Sequence, residues 1–266
     1  MNFRYENQKY KQGFTHIVGC DEVGRGSLAG PVAAAAVILD LNIVKISAKG
    51  GSAFGGKDLS EVRDSKLLSP KKREKLSAII KNNCVVWGIG TVDEKTIDEI
   101  NIHKATLLAM KRAVENLLSA NSCELALGDV VQATRSESRT TGLPQREKQA
   151  GGLHYKDSHL LAIDGKFIIP SFAKATEGKP NFNIEQEAII DGDNKILSIA
   201  AASIIAKVYR DDLMRQLHQQ YPIYNFAQHK GYGTLYHRTM ILQNGLSPIH
   251  RKSFCSALFP SLQGRG

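Results

Sequence analysis

Five short apolar runs, at 15–20, 31–39, 84–91, 159–164 and 187–191, restrict this chain more than any other feature. Each has the length and composition of a buried β-strand. The longest unbroken one, Val32 to Leu39, is far short of the roughly 20 residues that span a membrane. Helical spacing occupies 70–82, where Ser69-Pro70 makes a good start, about 101–118, and 198–219, which Pro222 closes. A shorter helix is predicted from about 234 to 244, stopped by Gly245. This order predicts an α/β or α+β architecture, with a mostly β amino half and a helical carboxyl third.

With 266 residues, 42% of them hydrophobic, the chain suits one generous domain, or one domain with an appendage. A net charge of +9 favours a polyanionic partner such as nucleic acid. Cys20, Cys84, Cys123 and Cys255 are scattered without C-x-x-C pairing, which argues against a zinc site or disulfide framework. The amino-terminal MNFRYENQKYKQ is polar and lacks a signal peptide's apolar core, so the expectation is a soluble, cytoplasmic protein without membrane contact. Residues 46–62, 130–158 and 172–183 are rich in Gly, Ser, Thr, Lys and Glu and read as surface loops. The chain has no internal repeat.

The run His16-Ile17-Val18-Gly19-Cys20 leads straight into Asp21-Glu22-Val23-Gly24-Arg25-Gly26. Adjacent carboxylates at a strand end can hold a divalent cation, the glycines let backbone approach a ligand, and the arginine suits a phosphate. In a straight strand Asp21 and Glu22 point to opposite sides, so a bend is expected to bring both to one ion. Asp164 ends the run 159–163 and precedes Gly165, although an ordinary Asp-Gly turn explains it equally well. Asp193 lies in Ile190-Asp191-Gly192-Asp193-Asn194; a polar turn capping the next helix is the simpler account. Asp191 competes with it from the same face of an extended segment. Acidic residues at the ends of separate strands are what a magnesium or manganese site needs. No P-loop is present, and no Ser/His/Asp or Cys/His nucleophile stands out. In the helix at 198–219, Ser203, Lys207 and Arg210 fall on neighbouring faces, forming either a solvated basic edge or a phosphate contact. Gln228 to Gly233 puts Lys230 and Tyr232 in a glycine-flanked loop, where the ring could stack on a sugar or base or be half-buried surface.

These segments, taken in order, resemble ribonuclease HII, the type 2 ribonuclease H family. The resemblance is carried by Asp21 to Gly26, Asp64-Ser65-Lys66, Asn101-Ile102 with Ala105-Thr106, and Ile163-Asp164-Gly165. It continues through Ser198 to Asp211, Phe226 to Tyr232 and His250 to Phe254, and so covers most of residues 14–258. It implies a ribonuclease H-like α/β fold: a mixed central sheet flanked by helices, with a small helical carboxyl-terminal region. The expected division is a catalytic domain at 14–215 and a substrate-binding region at 216–258. The resemblance implies Mg²⁺- or Mn²⁺-dependent cutting of RNA in RNA/DNA hybrids, and of ribonucleotides embedded in duplex DNA. Two ions would be held by Asp21, Glu22, Asp164 and Asp193; the family's spacing to Ser203 and Tyr232 selects Asp193 over Asp191. The family's nucleic-acid contacts fall on Gly24, Arg25, Gly26, Ser65, Lys66 and Tyr232, and we add Ser203, Lys207 and Lys230. The protein is expected to act as a monomer.

This chain departs from the family at two residues, and its stretches 46–62, 130–158 and 172–183 read as insertions longer than is usual there. Asp191 stands where bacterial relatives usually carry lysine, which adds negative charge near the metals, and Ser27 replaces a frequent proline. The short amino-terminal stretch and the GRG loop point to type 2 rather than type 3. Two rival readings are a related protein that binds hybrids without cutting, and a different two-metal nuclease such as a resolvase. Four carboxylates gathered without a metal would oppose folding, against the first; the second would need neither the GRG nor the Tyr232 loop.

Overall fold

The computed structural model describes residues 4–39, 62, 65–120, 159–170 and 184–258. The loop stretches predicted at 130–158 and 172–183, nearly all of 46–62, Asp64 and Cys123 lie outside these. The five apolar runs form one sheet: β1 (His16–Val23), β2 (Val32–Leu39), β3 (Cys84–Val92), β4 (His159–Asp164) and β5 (Glu185–Ile189). Their spatial order is β3-β2-β1-β4-β5. The pairs β1–β2 and β2–β3 are antiparallel, and β1–β4 and β4–β5 are parallel, so the sheet is mixed.

Helices cover both faces, which is why β2 reads as a continuous apolar run. Ala34, Ala36 and Ile38 pack with Ala105, Ala109, Ala113 and Leu117 on one side; Ala35, Val37 and Leu39 pack with Leu76, Ala201 and Ile205 on the other. The helices in chain order are α1 (Arg4–Lys11), α2 (Pro70–Asn83), α3 (Glu94–Ile100), α4 (Ile102–Ala120), α5 (Gly192–Lys195) and α6 (Leu197–Gln220). After them come α7 (Phe226–His229), α8 (Leu235–Asn244) and α9 (Lys252–Cys255). Ser69 caps α2, accepting a hydrogen bond from the Lys72 N–H, and Thr234 caps α8 in the same way through His237. Helix α6 passes through residue 215 without a break.

The short helices α5, α7 and α9 were not expected, and four further features differ from expectation. The last strand ends at Ile189 rather than 191, because Ile190 is exposed and Asp191 turns the chain with a φ of 60°. Val62, assigned to a surface loop, is fully buried in the cluster beneath α6. Helix α3 was not anticipated, although Asp93 caps it by accepting from the Thr96 N–H. Helix α1 arises from the polar amino-terminal stretch and is anchored by Glu6, a buried carboxylate that accepts from the backbone N–H of Ser198, 3.1 Å away. That bond caps the start of α6, whose own N-cap residue, Ile196, offers no side-chain acceptor.

At the same place α6 presses directly on β1. A Cβ on Gly19 would sit 2.1 Å from the Ser198 carbonyl carbon, so only glycine admits this approach. Gly19→Ala is expected to lower stability by about 1–3 kcal/mol through overpacking, read from its urea midpoint. Because Asp21 is two residues away, cleavage should fall with stability; a fully stable variant would mean that α6 can shift freely.

Candidate active site

Asp164 ends β4, and Asp21 and Glu22 follow Cys20, the last β1 residue paired with that neighbouring parallel strand. One oxygen from each of Asp21, Glu22 and Asp164 lies within 4.8 Å of the others, the group among the described residues suited to a metal ion. The expected bend is not needed. Both residues remain inside β1, opposite Ala35 and Ala34. Asp21 projects to the α6 side. Glu22 lies beyond the end of the β1–β4 ladder at Cys20–Ile163, where its longer side chain can turn across an unpaired strand edge.

Hydrogen bonds aim these carboxylates. Asp21 Oδ1 accepts from the Glu22 N–H at 2.7 Å, and Asp164 Oδ1 accepts from the Gly192 N–H at the same distance. The Ser203 hydroxyl also bonds Asp21 and stands 2.9 Å from the Ser65 hydroxyl, so Ser65 supports Ser203 and Ser203 supports Asp21. Buried Arg73 donates to the Ser65 carbonyl at 3.0 Å and fixes that end of the relay. Ser65 and Ser203 are both buried, so in this structure they orient a carboxylate.

Burial, then the charges of Glu22 and Asp164, push the Asp21 carboxyl well above its usual range. Burial raises Glu22 as well, against the opposing charge of Arg25, whose guanidinium lies 3.3 Å away. Crowded carboxylates with raised proton affinity are oxygen donors whose repulsion a divalent cation would relieve, so the residues fit Mg²⁺ or Mn²⁺.

Asp193 is buried at the start of α5, next to the Gly192 that donates to Asp164, and it lies outside the three-carboxylate group. Its Oδ2 is 3.4 Å from the exposed Lys66 ammonium. Asp191 is exposed and accepts from the Asn194 side-chain amide at 2.8 Å. The two aspartates do not share a face of an extended segment: Asp191 has a left-handed backbone and Asp193 has entered a helix.

The glycine loop and the tyrosine loop meet beside this cluster. Ser27 bridges Tyr232 in antiparallel fashion, and the Leu28 N–H donates to the Gly231 carbonyl at 2.8 Å. Arg25 and Gly26 are exposed, whereas Gly24 is buried with a φ of 91°. The Tyr232 ring is 37% exposed, with Lys207 and Arg210 at 5.8 Å and 5.7 Å from its centre. Lys207 pairs with Asp211 at 2.7 Å, and the Lys230 ammonium turns back onto the Ala227 carbonyl.

Arg210, read as a possible phosphate contact, is fully buried and donates to the carbonyls of Pro31, Lys230 and Ala29. Arg251, also fully buried, donates to the Arg25 and Gly30 carbonyls. These arginines fasten the two loops together. The sequence shows only basic residues in a basic chain, so nothing marks them as buried.

The family model for ribonuclease HII matches residues 18–140 and 161–257. The chain belongs to the ribonuclease HII family. The matched ranges omit 141–160, which overlaps the stretch expected to be inserted. A ribonuclease HII of Caldicellulosiruptor saccharolyticus is 41% identical over 95% of this chain and 93% of its own length. Among solved structures, the ribonuclease H2 of Pyrococcus horikoshii OT3 covers 94% of this chain and 100% of its own, at TM-score 0.56 and 21% identity. Bst-RNase HIII in complex with Mn²⁺ covers 97% of this chain and 73% of its own, at TM-score 0.57 and 18% identity. These two share the ribonuclease H-like fold. As a ribonuclease HII, the chain is an endonuclease that cleaves RNA in RNA/DNA hybrids, a metal-dependent activity for which the acidic cluster could hold the ion. Among the described residues, no helix is long and apolar enough to cross a membrane.

Proposed function

We propose that this chain also incises duplex DNA on the 5′ side of a single embedded ribonucleotide, leaving 5′-phosphate and 3′-hydroxyl ends by two-metal-ion catalysis. The observation that carries this is the carboxylate cluster of Asp21, Glu22 and Asp164 beside the bridge joining the glycine loop to Tyr232. Asp21, Glu22 and Asp164, with Asp193 as the fourth ligand, would hold Mg²⁺ or Mn²⁺. Bound there, the ions would make a water nucleophilic at neutral pH and steady the departing 3′-oxygen. Ser203, supported by Ser65, keeps Asp21 in place, and Lys66 balances the charge of Asp193. Gly24 and Gly26 bring main-chain groups to the 2′-hydroxyl, which marks RNA and can both donate and accept hydrogen bonds. Arg25 meets a phosphate, and the Tyr232 ring packs on the following deoxyribose, where a ribose hydroxyl would crowd it. Residues 216–258 form the substrate-binding region, and the enzyme works as a cytoplasmic monomer.

The test incubates the protein with an RNA/DNA hybrid, a duplex with one ribonucleotide, a DNA junction and double-stranded RNA, with and without Mn²⁺. Metal-dependent cutting of the first two is expected. No incision at the lone ribonucleotide, or efficient cutting of the junction, would end this reading.

Hybrid affinity should fall steeply with salt as bound counterions are released. Arg25→Ala and Lys66→Ala should each flatten the log–log slope by about one unit, because both cations are exposed at the site. Lys207 and Lys230 are tied to Asp211 and to a carbonyl, so their substitution should change the slope less. An unchanged slope in the Arg25 and Lys66 variants would remove phosphate contact as their role.

A further inference from the structure

Three histidines that the activity does not use sit beneath the Tyr232 loop. His237 and His250 are buried, and their Nε2 atoms are 3.1 Å apart. His237 also stacks on His229 with ring centres 4.3 Å apart. The hydrogen bonds fix every proton in the group, because a carbonyl can only accept and a backbone N–H can only donate. His250 Nδ1 accepts from the Ser247 N–H at 2.8 Å, so its proton is on Nε2 and points at His237. His237 Nε2 must then accept, and its Nδ1–H donates to the Tyr232 carbonyl at 2.9 Å. His229 Nδ1 accepts from the Gly231 N–H at 3.2 Å, and its Nε2 donates to the Tyr224 carbonyl at 2.6 Å.

We propose that His237 and His250 are positioning residues for Tyr232, through a relay from Ser247 to His250 to His237 to the Tyr232 carbonyl that exists in one arrangement of protons. The relay closes a ring of backbone pairing. The segment after the glycine loop bridges Tyr232 at Ser27 and bridges His250 at Ala29, and the histidine pair cross-links those two partners from behind. Phe226 and Tyr224 pack against the imidazoles and keep water from them. Burial holds both rings well below the usual histidine range, to about 4, so both stay neutral at neutral pH. The aromatic reader of the substrate is therefore set by buried groups that never touch nucleic acid.

This inference rests on the reading of Tyr232 as a substrate contact, and its test separates the two. Nitrogen-15 spectra of the unmodified protein should show His237 protonated on Nδ1, and His229 and His250 protonated on Nε2. In kinetics, His237→Gln reaches toward His250 but loses the donor at the Nδ1 position, whereas His237→Asn can keep that donor. His237→Gln should lose about tenfold or more in kcat/KM on the single-ribonucleotide duplex relative to the continuous hybrid, the scale of a lost aromatic contact to nucleic acid. His237→Asn should lose less, and adding Tyr232→Ala to His237→Gln should cost little more, since both remove one contact. A defective Tyr232→Ala enzyme beside an unaffected His237→Gln enzyme, or His237 protonated on Nε2, overturns the positioning role alone. A fully active Tyr232→Ala enzyme overturns the reading of Tyr232 and the positioning role with it.

Discussion

Replacing Asp21 by Asn is expected to abolish cleavage while making the metal-free protein harder to unfold. Asp21 is buried beside two other carboxylates, and its proton affinity is raised by burial first and by Glu22 and Asp164 next. A group whose folded pKa exceeds its unfolded value favours the fold below the ordinary carboxylate range. That contribution is lost as pH rises through the raised value. Asn has the same shape, can still accept from the Glu22 N–H, and never acquires the charge. In EDTA, Asp21→Asn should therefore melt above the parent at neutral pH, with a gap that closes as the pH falls into the ordinary carboxylate range. Mn²⁺ should raise the parent's melting temperature and that of the variant much less, because ligand binding stabilises only the form that binds. Activity should fall by about three orders of magnitude or more, as for a group acting within a catalytic unit. A variant that melts below the parent at every pH would mean that Asp21 serves the strand and not a cation.

The second large effect is a change of preference. Tyr232→Ala should cost about tenfold to a hundredfold on a duplex with one ribonucleotide, the range of a lost aromatic stacking contact, and much less on a continuous hybrid. The ring is half exposed at the meeting of the two loops, with Lys207 and Arg210 beneath it, so it is placed to lie on a sugar next to the cut. In a continuous RNA strand the following sugar carries a hydroxyl, and the ring would gain little there to lose. Competition kinetics with both substrates in one tube would read the ratio directly. Equal losses on the two would show that Tyr232 supports the fold of its loop and does not select the substrate.

Much of this was legible along the chain because it is local. A run such as Val32 to Leu39 must be covered on both faces, and the sheet does place helices on both. Ser69-Pro70 and Gly245 mark helix ends through their own backbone chemistry, and those ends fall where expected. The acidic residues after Cys20 and Ile163 were legible as candidates for a cation site, and parallel pairing of β1 with β4 brings them together. Helix α1 was invisible because a single buried Glu6 in a polar segment has no periodic signature.

The residues and their order therefore determined the strands, the four longest helices, the family and the acidic candidates, since these depend on neighbours within a few positions. Tertiary structure alone decided that Asp191 faces solvent while Asp193 is buried, because a left-handed residue followed by a helix reverses the alternation of an extended segment. It alone decided that Arg210 and Arg251 tie loops together, since a guanidinium buried among carbonyls looks in sequence like one facing a phosphate. The histidine relay is decided in the same way: Ser27, Tyr232, His237 and His250 meet only when distant segments pair, and pairing at that range leaves no local trace.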